Sequence, residues 1–281
     1  MRKAYVKNNQ IALYGIMLRE VFIMYIIISV SIIVSAYMIY NQMENMSRIY
    51  SCALDGIVVW CTSSMLNLGL LPVIISVFLH MHYDIYMRNV CVIKQKSRTG
   101  MWFNEQKLSL IICSVAFTWS MILSFVLAYI MNKGNIYANV SDDLFFTNTY
   151  YGIMLSQCTD IQAGQETLIP AINIVWVIIR VWLINMLQLY MVVMAADVIY
   201  WLSGKRLFST IILSAMCMIT AIFPKSRRYA YVLGIKVKAY SYYLEVLNIN
   251  VWLKHIFIML IIILLTNVVM SFIVKNKDMV M

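Results

Sequence analysis

The sequence predicts an all-α, polytopic membrane protein of about six transmembrane helices, preceded by an interfacial helix. Three observations predict it. Of 281 residues, 63% are apolar and only 12% are charged, against roughly 45–50% and about 25% in soluble domains. Long apolar runs recur along the chain, and a helical span needs about 20 such residues. Lys and Arg alternate between abundance and scarcity in the segments between those runs, the pattern that orients helices in a bilayer. Such apolarity excludes disorder. Nine glycines and three prolines exclude collagen and low-complexity linkers. The runs fill the length, so the chain reads as one transmembrane domain over residues 1–281.

Residues 1–20 come first. Val6, Leu13, Met17 and Leu18 fall on one helical face, with Lys7, Asn8, Asn9 and Arg19 more polar; that spacing predicts a helix lying along the cytoplasmic membrane surface. Spans follow at about 21–40, 57–80, 108–131, 168–202, 207–223 and 252–274. The fourth is long enough to tilt or to extend past the bilayer. The basic start, MRKAYVKNNQ, has no small-residue cleavage site after the first apolar run, so that run is expected to be a retained span.

Orientation follows from the loops. Residues 1–20 carry Arg2, Lys3, Lys7 and Arg19, whereas 41–55 carry only Arg48. Residues 83–107 carry Arg88, Lys94, Lys96, Arg98 and Lys107. Residues 132–167 carry Lys133 beside Asp142, Asp143, Asp160 and Glu166, and the turn at 203–206 carries Lys205 and Arg206. The N-terminus, the 83–107 loop and the 203–206 turn are therefore expected inside a plasma membrane. Lys275 and Lys277 put the C-terminus inside too. One segment runs against the rule: Lys225, Arg227, Arg228, Lys236 and Lys238, with the single acid Glu245, fall outside in a six-span arrangement. The net charge of +10 fits cytoplasmic loops and anionic lipid headgroups rather than nucleic acid.

Chemistry-bearing motifs are scarce. The phosphate-binding pattern G-x-x-x-x-G-K-[ST] does not occur, and H-E-x-x-H, G-x-S-x-G and C-x-x-C are absent too. No catalytic residue, metal set or cofactor is nominated for this chain. Energy for moving a solute must come from another chain or an ion gradient. His80 and His82 sit two apart, about 200° around a helix, and read as a polar helix end before Asp84 rather than as metal ligands. Cys61, Cys113 and Cys217 lie in apolar runs and read as small hydrophobes. Cys52 and Cys158 fall in outer loops, where a disulfide and two separate thiols are both open. Arg180 and Asp197 lie within the fourth apolar stretch, where an ionisable group needs a partner or a cavity. With Asn173, Asn185 and Gln188, Arg180 makes one face of that stretch partly polar. Two readings stand: the lining of a translocation path, or a polar seam joining helices. Asp197, near the inner end, is expected to meet water or Lys205.

The inner loop is the most informative segment. Tyr86, Val90 and Ile93 have helical spacing, Ser97-Arg98-Thr99-Gly100 breaks it, Trp102 and Phe103 suit the headgroup level, and Lys107 opens the next span. Residues 84–104 are thus expected to form a short surface element able to meet a cytosolic partner. Here the chain resembles the membrane subunit of type-2 ATP-binding-cassette transporters, especially the small permeases of Gram-positive bacteria linked to peptide-antibiotic export and immunity. Arg88, Ser97, Arg98, Trp102 and Lys107 occupy the pattern of that family's inner loop, and Pro224 follows a short fifth span.

The resemblance implies a dimer of permeases, two copies or two related chains, in the bacterial cell membrane. It implies two separate cytosolic ATPase subunits beneath, which carry the ATP and Mg. The 84–104 element would couple to them through Arg88, Lys94, Lys96, Arg98, Trp102 and Lys107. It also implies short outer helices over 224–251. The alternative function is a non-transporting immunity or sensor protein that holds its ligand without an ATPase.

Overall fold

In an apolar solvent every backbone amide must find its partner within the chain, and a helix achieves this locally. The computed structural model describes residues 19–37, 53–57, 69–88, 98–131, 174–222, 229–232, 235–238 and 249–276. Among them six helices follow one another: α1 Arg19–Tyr37, α2 Leu71–Arg88, α3 Arg98–Met131, α4 Ile174–Ser203, α5 Arg206–Ile222 and α6 Ile249–Asn276. A helical turn at Ala53–Asp55 precedes α2. Four helices, α1, α3, α4 and α6, are long and apolar enough to cross a membrane. α2 carries a shorter apolar stretch, Leu71–Tyr83, and α5 has 17 residues.

Contacts fix the direction of each helix. Trp102, early in α3, meets Trp201, late in α4, and bonds Asn267, late in α6. His80, late in α2, bonds Asp197, late in α4. Ser209, early in α5, bonds the Ala196 carbonyl of α4. Ala36 near the end of α1 clusters with Ala128 near the end of α3. The six helices therefore alternate in direction, and Arg98, Lys205 and Lys275 gather at one end of the bundle. α4 is the central helix: it packs on α2, α3, α5 and α6. Inside its span 72% of residues are buried, against 22% in α1 and 17% in α6. The outer helices present Phe22, Val30, Phe257 and Leu264 outward, as lipid-facing helices do.

Close approach comes from small residues. Ala116, Ser120, Ser124 and Ala128 form a buried ladder at every fourth position of α3. Gly56 lies against it; a Cβ there would collide with the Ser124 carbonyl and the Ala128 side chain. Helix hydroxyls bond back to the carbonyl four residues earlier, as Ser29 does to Tyr25, Ser114 to Leu110 and Ser120 to Ala116. α4 stops at Gly204, whose φ of 66° suits a left-handed C-cap and whose N–H donates to the Tyr200 carbonyl at 2.8 Å.

Three expectations need correction. The implied outer helices over 224–251 give way, in part, to an antiparallel ribbon: β1 Tyr229–Val232 pairs with β2 Ile235–Lys238, Tyr229 opposite Lys238. The alternating YAYV and IKVK favour a pleated strand. Of the basic turn expected at 97–100, residues 98–100 are instead helical and open α3 at Arg98. The second helix extends to Arg88 instead of ending near residue 80, and within it His80 and Tyr83 find hydrogen-bond partners inside the bundle. The interfacial helix over 1–18 lies outside the described residues.

Candidate functional site

A polar cluster sits near the basic end of the bundle. Asp197 lies six residues before the end of α4, about 9 Å at 1.5 Å per residue. Its carboxylate is buried and takes three donors. His80 Nε2 reaches Oδ1 at 3.2 Å, Gln106 Nε2 reaches Oδ2 at 3.2 Å, and Ser109 Oγ reaches Oδ2 at 2.9 Å. A second layer supports the donors. The Tyr83 hydroxyl lies 2.8 Å from Ser109 Oγ and 3.2 Å from the Glu105 carbonyl. The Tyr190 hydroxyl donates to Gln106 Oε1 at 3.0 Å. The His80 ring stacks on Tyr200, centroids 4.6 Å apart.

A second buried acid is adjacent. Glu105 Oε2 accepts from the Trp201 indole N–H, while Oε1 has no hydrogen-bond partner among the described residues. Trp201 also meets Trp102 edge to face at 6.0 Å, and Trp102 donates to Asn267 Oδ1 at 2.9 Å. Thus α2, α3, α4 and α6 are joined at one level through side chains. Local sequence explains the placement: Trp102, Glu105, Gln106 and Ser109 follow three- and four-residue spacing on α3, so they share one face.

The sequence-predicted residues separate. Arg98 and Lys107 are exposed on α3. Trp102, expected at the headgroup level within the coupling set, is fully buried inside the bundle. The backbone of Arg88 ends α2, and Lys94 and Lys96 lie outside the described residues. On α4, Arg180 is partly buried with its guanidinium 5.9 Å from the Trp252 ring centre, and Trp252 Nε1 donates to the Arg180 carbonyl at 3.2 Å. This contact joins α4 to α6. Asn185 and Gln188 are buried, and Asn185 Nδ2 bonds the Val181 carbonyl at 2.9 Å. Asn173, Cys52 and Cys158 lie outside the described residues. Cys113 is buried as a free thiol. Asp197 is fully buried, and its hydrogen bonds go to His80, Gln106 and Ser109. Glu105, Gln106, Ser109, Tyr190, Trp201 and Asn267 were not singled out from the sequence; the shared-face spacing on α3 is the signal that marks half of them.

Two open apolar grooves flank α3 away from this cluster. One, of about 430 Å³, is lined by Leu54, Met121, Phe125 and Trp182. The other, of about 590 Å³, is lined by Phe22, Tyr25 and Trp119. Thr118 and Ile122 border both. Among the described residues no group of three or more His, Cys, Asp or Glu is placed to hold a metal. No family model, curated protein or solved structure matches the chain.

Proposed function

We propose that the chain is the membrane permease subunit of an ATP-driven exporter of the ABC class. Its cargo is a peptide antibiotic or another amphipathic or hydrophobic compound, moved out of the membrane or cell. One observation carries the reading: α3 runs unbroken for 34 residues from Arg98. That is about 51 Å at 1.5 Å per residue, well beyond a hydrocarbon core of about 30 Å. Its base therefore extends past the apolar region at the end where positive charge gathers. Trp102, Glu105, Gln106 and Ser109 fix that base to α4 and α6, so a push at Arg98 moves the bundle as a body. The exposed Arg98 is the handle, and the buried Trp102 is the joint behind it. The chain has no phosphate-binding motif of its own, so the push comes from separate cytosolic ATPase subunits. The apolar grooves on α3 suit a greasy cargo, and the exposed flanks of α1 and α6 suit lipid or a second permease.

Gentle solubilisation followed by affinity capture of this chain tests the reading. Co-capture of a protein that hydrolyses ATP, lost in the variant Arg98→Glu, is the expected result. Capture of a ligand-binding chain with no ATPase would overturn it and favour the immunity or sensor alternative.

A further inference from the structure

The groove of about 590 Å³ runs between α1 and α3, within the roughly 300–1,000 Å³ of ligand pockets. The two helices lie side by side. Tyr25 meets Trp119 edge to face at 6.3 Å, Trp119 Nε1 donates to Ser29 Oγ at 3.0 Å, and Ala36 clusters with Ala128. Polar atoms along the groove are engaged within the protein: Ser114 donates to the Leu110 carbonyl, Thr118 to the Ser114 carbonyl and Trp119 to Ser29. What the groove offers is hydrocarbon surface, on a flank where Phe22, Val115 and Ile122 are exposed. In a bilayer such a groove fills with hydrocarbon, because empty space forfeits the dispersion contacts of its walls. The walls alone do not select which lipid supplies that chain.

The basic end of the groove does. Arg19 opens α1, three residues before Phe22 and six before Tyr25, on their side of the helix. Lys107 lies seven residues before Ser114 and eleven before Thr118, on one helical stripe with them. Both cations are exposed. From the Ser29–Trp119 contact, Arg19 is ten residues and Lys107 twelve residues nearer the basic end, about 15 and about 18 Å at 1.5 Å per residue. They therefore stand at nearly one level, one on each wall of the same groove. Lys107 is also about 14 Å further along α3 than Arg98, which sets it apart from the handle. Among the described residues neither Arg19 nor Lys107 takes part in an ion pair. The nearest acids along each helix face elsewhere: Glu20 is about 200° around α1 from Phe22, and Glu105 is buried against Trp201. Residues 1–18 contain no acid. We propose that this groove binds an anionic phospholipid, with one acyl chain between α1 and α3 and the phosphate held between Arg19 and Lys107. Charge-assisted bonds to phosphate are the strong kind, and both side chains are long enough to carry their charge outward to a headgroup. The site goes beyond the permease reading: it needs a bilayer around the chain and no ATPase partner.

The full-length chain is reconstituted into phosphatidylcholine vesicles in which a minor share of the lipid is brominated on its acyl chains, either as phosphatidylglycerol or as phosphatidylcholine. Bromine quenches indole fluorescence on contact, and the part of the signal lost in Trp119→Phe reports the groove. At about fivefold per cation, brominated phosphatidylglycerol should be preferred there by about 25-fold. The preference should disappear in Arg19→Gln/Lys107→Gln and hold in Lys275→Gln, an exposed cation at the same end on α6. Equal loss in Lys275→Gln would reduce the effect to general attraction of anionic lipid and overturn the proposal. So would the absence of any preference, or a Trp119 that neither lipid quenches because a second copy or another segment covers the groove. Native mass spectrometry of the unaltered chain, released from an equal mixture of the two lipids, gives a reading that needs no tryptophan variant. Phosphatidylglycerol retained over phosphatidylcholine is the expected result, and equal retention contradicts the proposal.

Discussion

Asp197 is a fully buried acid held by donors from two neighbouring helices, His80 on α2 and Gln106 and Ser109 on α3. Removing it strands all three donors at once, and each buried orphan costs about 1–3 kcal/mol. Asp197→Ala should therefore lower unfolding stability by at least about 1–3 kcal/mol, measured by denaturation in detergent micelles. Ser109→Ala removes one donor of three and should cost only about 0.6 kcal/mol, the usual size of a side-chain bond within a membrane. Equal losses for the two variants would show that Asp197 is not the hub. Gly56 tests packing rather than polarity. Gly56→Val must push the 53–57 turn away from Ser124 and Ala128, and a lowered melting temperature with poorer membrane yield is the expected outcome. Sequence inspection finds Asp197 as an anomaly but misreads its setting. Its partners lie 88 to 117 residues away along the chain, a distance that local pattern does not bridge.

Among the helices, α1, α3, α4 and α6 are long and apolar enough to cross a membrane, and each overlaps an apolar run of the sequence, because a bilayer selects spans by length and apolarity. α3 departs at its start. The expected span opens near residue 108, yet the helix opens at Arg98. Apolarity cannot register this extension, because Glu105, Gln106 and Lys107 are polar; they are also good helix formers, and Glu105 and Gln106 find their partners on α4. α2 departs for a similar reason, since the polar His80 and Tyr83 continue the helix into the cluster. The pairing of Tyr229–Val232 with Ile235–Lys238 was not foreseen, although the alternation in YAYV and IKVK is a strand signal. The joint between α3 and α6 gives a test at this scale. In a double-mutant cycle, Trp102→Phe and Asn267→Ala should couple by about 0.6 kcal/mol and at most about 1.7 kcal/mol, with unfolding in micelles as the readout. Additive losses would mean that the indole–amide bond at 2.9 Å does not hold these helices together.

Across the whole molecule, an unbroken helix begins among exposed basic groups and is bolted at its base to two neighbours, α4 and α6. In the proposed function, force applied at Arg98 is carried to the apolar grooves further along α3. Arg98 is the handle of that proposal and Trp102 its joint. Arg98→Ala should leave folding intact but weaken the link between ATP hydrolysis and export, whereas Trp102→Ala should destabilise the bundle itself, and the ratio of ATPase rate to export rate distinguishes them. The central claim, that this chain is driven by a separate nucleotide-hydrolysing partner, is tested most directly by reconstitution. Purified chain is placed in liposomes with and without its co-purified cytosolic partner, and the movement of a fluorescent apolar peptide is followed on adding ATP. ATP-dependent movement only when both are present is the result the account predicts. Movement, or protective sequestration of the peptide, by the chain alone would contradict it.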